Sequence, residues 1–246
     1  MWNIFRYYFL FFIFYSFLGW LMEVILIFFQ DKKLVNRGFF IGPYCPIYGF
    51  GAILITYLLH YFIFSPILLF IFSVIICSLL EYSTSYILEK IFHARWWDYS
   101  HNKYNLNGRI CLNTMIPFGL LGIIMVYFIN PNILKIYNNF DNGVLNVITI
   151  IILIIVLADF IISITILIKI RKDSHLLAKD NTEEMSKKVI EKIKGYGILF
   201  KRIFMAFPNF RFKHIRRVIK EKTVNAKNKI NNYVRKGNKN GKKDKK

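Results

Sequence analysis

The chain has 246 residues, 55% of them apolar and 18% aromatic, and its 34 Lys and Arg outweigh 14 Asp and Glu to give a net charge of +20. That apolar content and a mean hydropathy of +0.40 exclude an ordinary soluble domain, which carries fewer apolar residues at this length. Three cysteines, Cys45, Cys77 and Cys111, with no C-x-x-C, exclude a disulfide framework and a thioredoxin-like motif.

Charge divides the chain in two. Residues 169–246 hold 25 basic and 7 acidic residues, a net of +18, which leaves 9 and 7, a net of +2, for residues 1–168. The expected organisation is a transmembrane domain over 1–170 and a basic cytoplasmic tail over 171–246. Crossing the hydrocarbon core takes about 20 mostly apolar residues. In chain order the expected spans are Tyr7–Phe29, Ile47–Phe64, Pro66–Tyr86, Leu112–Ile129 and Leu145–Ile168. The first is too long for a signal h-region and no A-x-A-like site follows it, so it reads as an uncleaved span. The second and third meet at "IFSPIL", a tight hairpin in which Pro66 suits a first helical turn.

Lys and Arg in the connections set the orientation. Lys32, Lys33 and Arg37 follow the first span, Lys90, Arg95, Lys103 and Arg109 follow the third, and 25 lie in residues 169–246 after the fifth; the opposite side has Arg6, none in the hairpin, and Lys135. The expected fold class is therefore all-α, a polytopic helical membrane protein with about five transmembrane helices, N-terminus outside and C-terminus cytoplasmic.

Three acids fall inside the spans: Glu23, Glu81 and Asp159. A carboxylate in hydrocarbon needs a partner or a water-filled cavity. Glu23 and Glu81 sit late in their spans, on the side of Arg37, Arg95 and Arg109. Two readings stand side by side. In one, Glu23 and Glu81 are structural partners of Arg37 and Arg109. In the other, the cluster binds a polar substrate or relays protons. Asp159, deeper in an Ile-rich helix beside Ser163 and Thr165, is the weaker candidate.

The connection "NRGFFIGPYCPIYGFG" (36–51) carries four glycines and two prolines three apart. Such a segment is bent and non-helical, and near a membrane it must be buried in protein or line a cavity. It reads either as a packed re-entry turn or, through free N–H groups with Arg37, as an anion-holding pocket. Gly49 and Gly51 then favour tight helix packing. In the second connection, "ARWWDYSHNKYNLNGRICL" (94–112), Trp96, Trp97, Tyr99 and Tyr104 suit an interfacial belt. Asp98, Asn107, Gly108 and Arg109 are not explained that way. "NLNGR" is a turn signal that delivers Arg109 and Cys111 to the fourth span. The candidate cavity residues are Glu23, Arg37, Glu81, Trp97, Asp98, Asn107 and Arg109.

"GWLMEV" (19–24), "NRGFFIGPYCPIYGFGA" (36–52), "LEYSTSYILEKIFHARWWDYS" (80–100) and "NLNGRICL" (105–112) resemble the family named putative ABC-transporter type IV, or CmpB-like permease. The resemblance covers about residues 8 to 131. It implies a permease component and carries over no catalytic or binding residue. The basic tail lies outside it.

"GNKNGKK" (237–243) is not a phosphate-binding loop: its second Gly comes one residue early and Lys243 stands where Ser or Thr belongs. An ABC permease of this sequence would draw energy from a separate ATPase subunit. The five histidines are scattered and no cluster has metal spacing, so no metal and no cofactor is expected. Cys45 and Cys111, near Arg37 and Arg109, leave a thiol enzyme open; the packing reading is the commoner one. Asn181 and Glu184 stand in capping-box register, and a helix is expected to break near "GYG" (195–197). Beyond it, Phe200, Ile203, Phe204, Phe207, Phe210 and Phe212 among Lys and Arg suit an anionic lipid surface, which is favoured over nucleic acid. From about Lys236 the chain is expected to be disordered. Five helices make a narrow pathway, so a homo-oligomer or a partner subunit is expected. The leading reading is a transporter or permease component of the cell membrane; the alternatives are a membrane-embedded enzyme acting on a lipid or amphiphile, and a non-transporting membrane organiser.

Overall fold

The computed structural model describes residues 1–92 and 94–179, together with Arg202, Arg211 and Phe212. The chain is mostly helical. Helix α1 runs Trp2–Asp31, α2 Pro46–Leu58, α3 Pro66–Phe92, α4 Leu112–Ile124, α5 Asn130–Asn139 and α6 Asn142–Lys179. A 3-10 turn, His60–Phe62, joins α2 to α3, and a π-helical turn, Met125–Ile129, makes α4 and α5 one continuous rod. Two small antiparallel pairs complete the fold. β1 (Ala94–Arg95) pairs with β4 (Arg211–Phe212), and β2 (Asn105–Leu106) with β3 (Ile110–Cys111).

Four helical stretches are long and apolar enough to cross a membrane: Trp2–Gln30, Pro66–Phe92, Leu112–Asn139 and Asn142–Lys169. The expected second span, Ile47–Phe64, takes a different form. Its α-helix has 13 residues, about 20 Å at 1.5 Å per residue, against a hydrocarbon core of about 30 Å. Leu59 leaves the α conformation at φ −102 and ψ 10. The His60 ring nitrogen lies 2.7 Å from the Tyr57 carbonyl, and Pro66 disfavours helix at Ser65. The expected tail helix and its Phe-rich face lie outside the described residues, apart from Arg202, Arg211 and Phe212.

Missing side chains decide how the helices pack. A Cβ on Gly19 of α1 would stand 2.1 Å from the Tyr48 ring of α2. One on Gly49 of α2 would stand 2.4 Å from Ser16 Oγ and 2.6 Å from the Phe12 carbonyl. On α4, Gly119 meets Phe70 and Gly122 meets Ser73 of α3 in the same way, at 2.5 and 2.3 Å. Small residues let backbones approach where lipid gives no hydrophobic drive. Gly51 is different, since a Cβ there finds ordinary contact with Leu80 at 3.6 Å. The close approach expected of both glycines belongs to Gly49. Around these contacts Phe11, Tyr15, Ala52, Ile55, Leu59, Leu69 and Met125 form the core.

Polar groups fix the bundle's two ends. At one, buried Arg6 donates to the Tyr137 hydroxyl at 3.0 Å, the Asn142 carbonyl at 3.1 Å and Asn146 Oδ1 at 2.6 Å. These bonds tie the start of α1 to the α5–α6 junction. At mid-depth Tyr15 donates to Asn130 Oδ1 at 2.6 Å, and Asn130 donates to Thr56 at 3.1 Å. Asn130 directly follows the π-helical turn, so α1, α2 and the α4–α5 rod share one polar node. The opposite end gathers both connections, 32–45 and 94–111.

Gly19→Ala should lower stability by about 1–3 kcal/mol, because the Tyr48 ring must move. Gly51→Ala, with room for its methyl, should change it by less than about 0.5 kcal/mol. Unfolding of both variants in detergent, followed by tryptophan fluorescence, checks the contrast.

Candidate functional site

The 32–45 connection is held by its own polar side chains and by two helices. Arg37 Nε meets Glu23 Oε2 of α1 at 3.2 Å, and Tyr48 donates to Glu23 Oε1 at 2.7 Å. Trp20 donates to Asn36 Oδ1 at 2.7 Å, Asn36 donates to the Ile41 carbonyl at 2.9 Å, and the Cys45 amide donates to the Ser16 carbonyl at 2.9 Å. Gly38, at φ +105, takes a conformation that other residues rarely adopt.

Asp159 of α6 closes this segment from the other side. The backbone N–H of Ile41 donates to its Oδ1 at 2.9 Å and that of Gly42 to its Oδ2 at 2.7 Å. Ser163, one turn on, donates to Oδ1 at 2.8 Å, and the Tyr44 hydroxyl donates to Oδ2. The sequence reading of an anion-holding pocket built from free N–H groups with Arg37 takes a different form: the Ile41 and Gly42 amides are occupied, and Arg37 pairs with Glu23. The anion is the protein's own Asp159, the acid that ranked lowest from sequence. Burial first, and then the Asp159 bond, push the Tyr44 hydroxyl well above its ordinary range, so it stays a donor. Burial also pushes the Cys45 thiol up to about 12, with Glu23 adding to the effect and Arg37 and Arg202 opposing it. Such a thiol is a packing residue, not a nucleophile. Arg202 of the tail donates to the Phe39 carbonyl at 3.0 Å.

The second connection is organised by Arg109. It is 8% exposed and donates to Ser85 Oγ at 3.1 Å and Glu89 Oε2 at 2.7 Å. Its guanidinium lies over the Tyr82 and Tyr86 rings, 5.6 and 5.4 Å from their centres. Arg95 shares Glu89 at 3.4 Å and reaches Asp98 Oδ1 at 3.3 Å. Burial works against the Asp98 charge, but the Ser100 hydroxyl and amide and then Arg95 outweigh it and hold the carboxyl below its usual range. Trp97 donates to the Arg109 carbonyl at 3.0 Å, and Asn107 donates to the Tyr82 hydroxyl at 3.0 Å. Asn107 and Gly108, at φ 53 and 66, form the turn that "NLNGR" announces. A Cβ on Gly108 would stand 2.7 Å from Asp98 Oδ1.

Glu81 and Arg109, one of the pairs weighed from sequence, are not partners. Arg109 takes Glu89, two turns further along α3, while Glu81 receives the Tyr99 hydroxyl at 3.2 Å. Sequence reading missed Glu89, Ser85 and Tyr48. The signal was present for two of them: Glu81, Ser85 and Glu89 follow one another at four-residue steps and share one helix face. Trp96 is also no belt residue. It is 3% exposed and packs on Phe39 and Phe92 at 5.5 and 6.2 Å. Two cavities, of about 350 and 460 Å³, lie along α1 against α5 and α6. Apolar side chains dominate both, and neither is lined by Glu23, Glu81 or Arg109. Among the described residues, no group of three or more His, Cys, Asp or Glu is placed to hold a metal ion.

A family model described as Putative ABC-transporter type IV matches residues 10–164. The match takes in α1 through the Asp159 turn of α6, and with them both polar clusters; the basic tail lies beyond it. No curated protein and no solved structure matches the chain.

Glu89→Ala strands the buried Arg109 guanidinium and should cost on the order of 3 kcal/mol. Lys90→Ala, next to it but exposed, should stay within about 0.5 kcal/mol. Chemical unfolding of the two variants side by side checks the assignment.

Proposed function

The chain belongs to the Putative ABC-transporter type IV family, and on that premise we propose that it is the membrane-embedded component of a transporter in the cell membrane. What supports the reading most is one feature. Both irregular connections converge at the same end of the bundle, and they bring Glu23, Arg37, Glu81, Asp98 and Arg109 with them. Charged and hydrogen-bonding groups concentrated at membrane depth mark a polar path more often than a scaffold needs them. This end faces the cytoplasm, by the distribution of Lys and Arg. In the proposed open state, a polar cavity is lined by Glu23, Arg37, Glu81 and Arg109 and rimmed by Trp97, Asp98 and Asn107. It opens when the ion pairs part to admit a polar solute. Because the chain has no phosphate-binding loop, a separate ATPase subunit supplies the energy, and a second copy or partner completes the pathway. The basic tail lies on anionic lipid at the same surface.

Two measurements test this. A cysteine placed at His101, in a background without the native thiols, should react with an impermeant maleimide only from the cytoplasmic side. One placed at Phe64 should react only from outside. Reaction from the reverse sides overturns the orientation. For transport, inverted membrane vesicles containing the full chain and its ATPase, supplied with ATP, should accumulate or lose at least one solute class relative to vesicles without the chain. The difference should shrink at least tenfold in Arg37→Ala and Arg109→Ala protein that is still folded. Identical solute profiles with and without the chain would sink the transport reading.

A further inference from the structure

Glu81 lies on α3 where that helix faces α1, α2 and α4, and it is 6% exposed. Its Oε1 accepts the Tyr99 hydroxyl at 3.2 Å. Its Oε2 is buried and has no hydrogen-bond partner among the described residues. The groups that act on it are Tyr99, Glu23 of α1 and Thr114 of α4, and it acts in turn on Tyr48 of α2 and Cys77 of its own helix. None of these is a cation. The Arg109 guanidinium, bound to Ser85 one turn away, is engaged there and with Glu89.

The Thr114 hydroxyl donates to the Cys111 carbonyl at 2.9 Å, and the Cys111 amide reaches its oxygen only at 3.5 Å. Glu81 thus has one hydrogen-bond donor, the Tyr99 hydroxyl at Oε1, and a buried Oε2 left without a partner among the described residues. A carboxylate can only accept, whereas a neutral carboxylic acid both accepts and donates. Burial beside a second carboxylate with no cation also opposes charge. The two cavities along α1 lie elsewhere, and a proton needs no cavity.

We propose that Glu81 is a proton-binding site, carrying a proton on Oε2 near neutral pH while Oε1 accepts from Tyr99. This goes beyond the transport reading and does not depend on it. The site has a direct line to the second connection, because the Tyr99 amide donates to the Gly108 carbonyl at 2.8 Å, next to Arg109. Loss of the proton would set a second anion beside Glu23, and the 94–111 connection carries the donors and cations able to answer it.

Infrared spectroscopy of the full chain in lipid vesicles tests the proposal without any flux. Near neutral pH, wild type should show the C=O stretch of a protonated carboxyl that shifts when glutamate is isotopically labelled. The band should vanish in Glu81→Gln, persist in Glu23→Gln, and move in Tyr99→Phe as the hydrogen bond to Oε1 is lost. Absence of the band from labelled wild type overturns the proposal. So does a band that survives Glu81→Gln, or one lost from Glu23→Gln instead. Should Glu81→Gln fail to fold, the labelled wild type and Tyr99→Phe decide between these outcomes.

Discussion

The backbone between α1 and α2 makes no helix, yet it packs against α1, α2, α3 and α6, where a buried, unsatisfied N–H is costly. The carboxylate of Asp159 answers that constraint. It accepts from two consecutive backbone amides and from Tyr44, while Ser163 holds it in place from its own helix. The bond to Gly42 is the more demanding, because Tyr44 packs so closely that a Cβ on Gly42 would lie 2.3 Å from its ring. Once the segment is pinned, Arg37 is delivered to Glu23, and α2 starts at Pro46 with its first turn against α1. That geometry lets Tyr48 cover Gly19 and reach Glu23 as well. The polar cluster at this end therefore follows from a single acid on the last helix. α6 otherwise presents a face of Ile and Leu to its surroundings.

Much of this was legible in the sequence, and what was not has identifiable causes. Apolar runs separated by charged connections give the long helices directly, because length and hydropathy alone decide whether a segment can cross. α2 escaped because Ile47–Phe64 is apolar throughout; its helix ends at Leu58 for local reasons, a His60–Tyr57 contact and the proline at 66. The turn at Asn107 and Gly108 was readable from the dipeptide, since only such residues take positive φ at little cost. Pairing between distant side chains was not. Which of Glu81 and Glu89 receives Arg109 depends on where the 94–111 connection sets its last turn, and one helical face offers both. Asp159 looked peripheral because its partners are backbone amides 117 and 118 residues away, and backbone carries no sequence signal.

The family's matched region ends close to where these constraints end. Residues 10–164 include Glu23, Arg37, Glu89, Arg95, Arg109 and Asp159, so the ion pairs of the two clusters lie within it, while Arg202, which donates to the Phe39 carbonyl, lies beyond it. A description of the family by its helices alone would miss this. Apolar helices can be exchanged for other apolar helices with little loss, whereas a buried guanidinium needs its particular carboxylate. In this chain the connections carry Arg37, Arg95 and Arg109, and α1 and α3 carry the Glu23 and Glu89 that receive them.

The charges at this end also fail to cancel one for one, and the remainder falls in a specific place. Arg37 answers Glu23, and Arg95 and Arg109 between them answer Glu89 and Asp98. Two buried acids are then left, and they are treated differently. Asp159 has four hydrogen-bond donors, two of them backbone amides, and feels the Arg202 guanidinium of the tail. An anion so surrounded is stable without a contact ion pair. Glu81 has one donor, a neighbouring carboxylate and a bare oxygen. The two carboxyls lie on different helices of the same bundle, and hydrogen-bond supply, not depth, separates them. With α1 and α3 both contributing an acid there, the junction of α1, α2, α3 and α4 is where a change in one charge would be felt by the most elements at once.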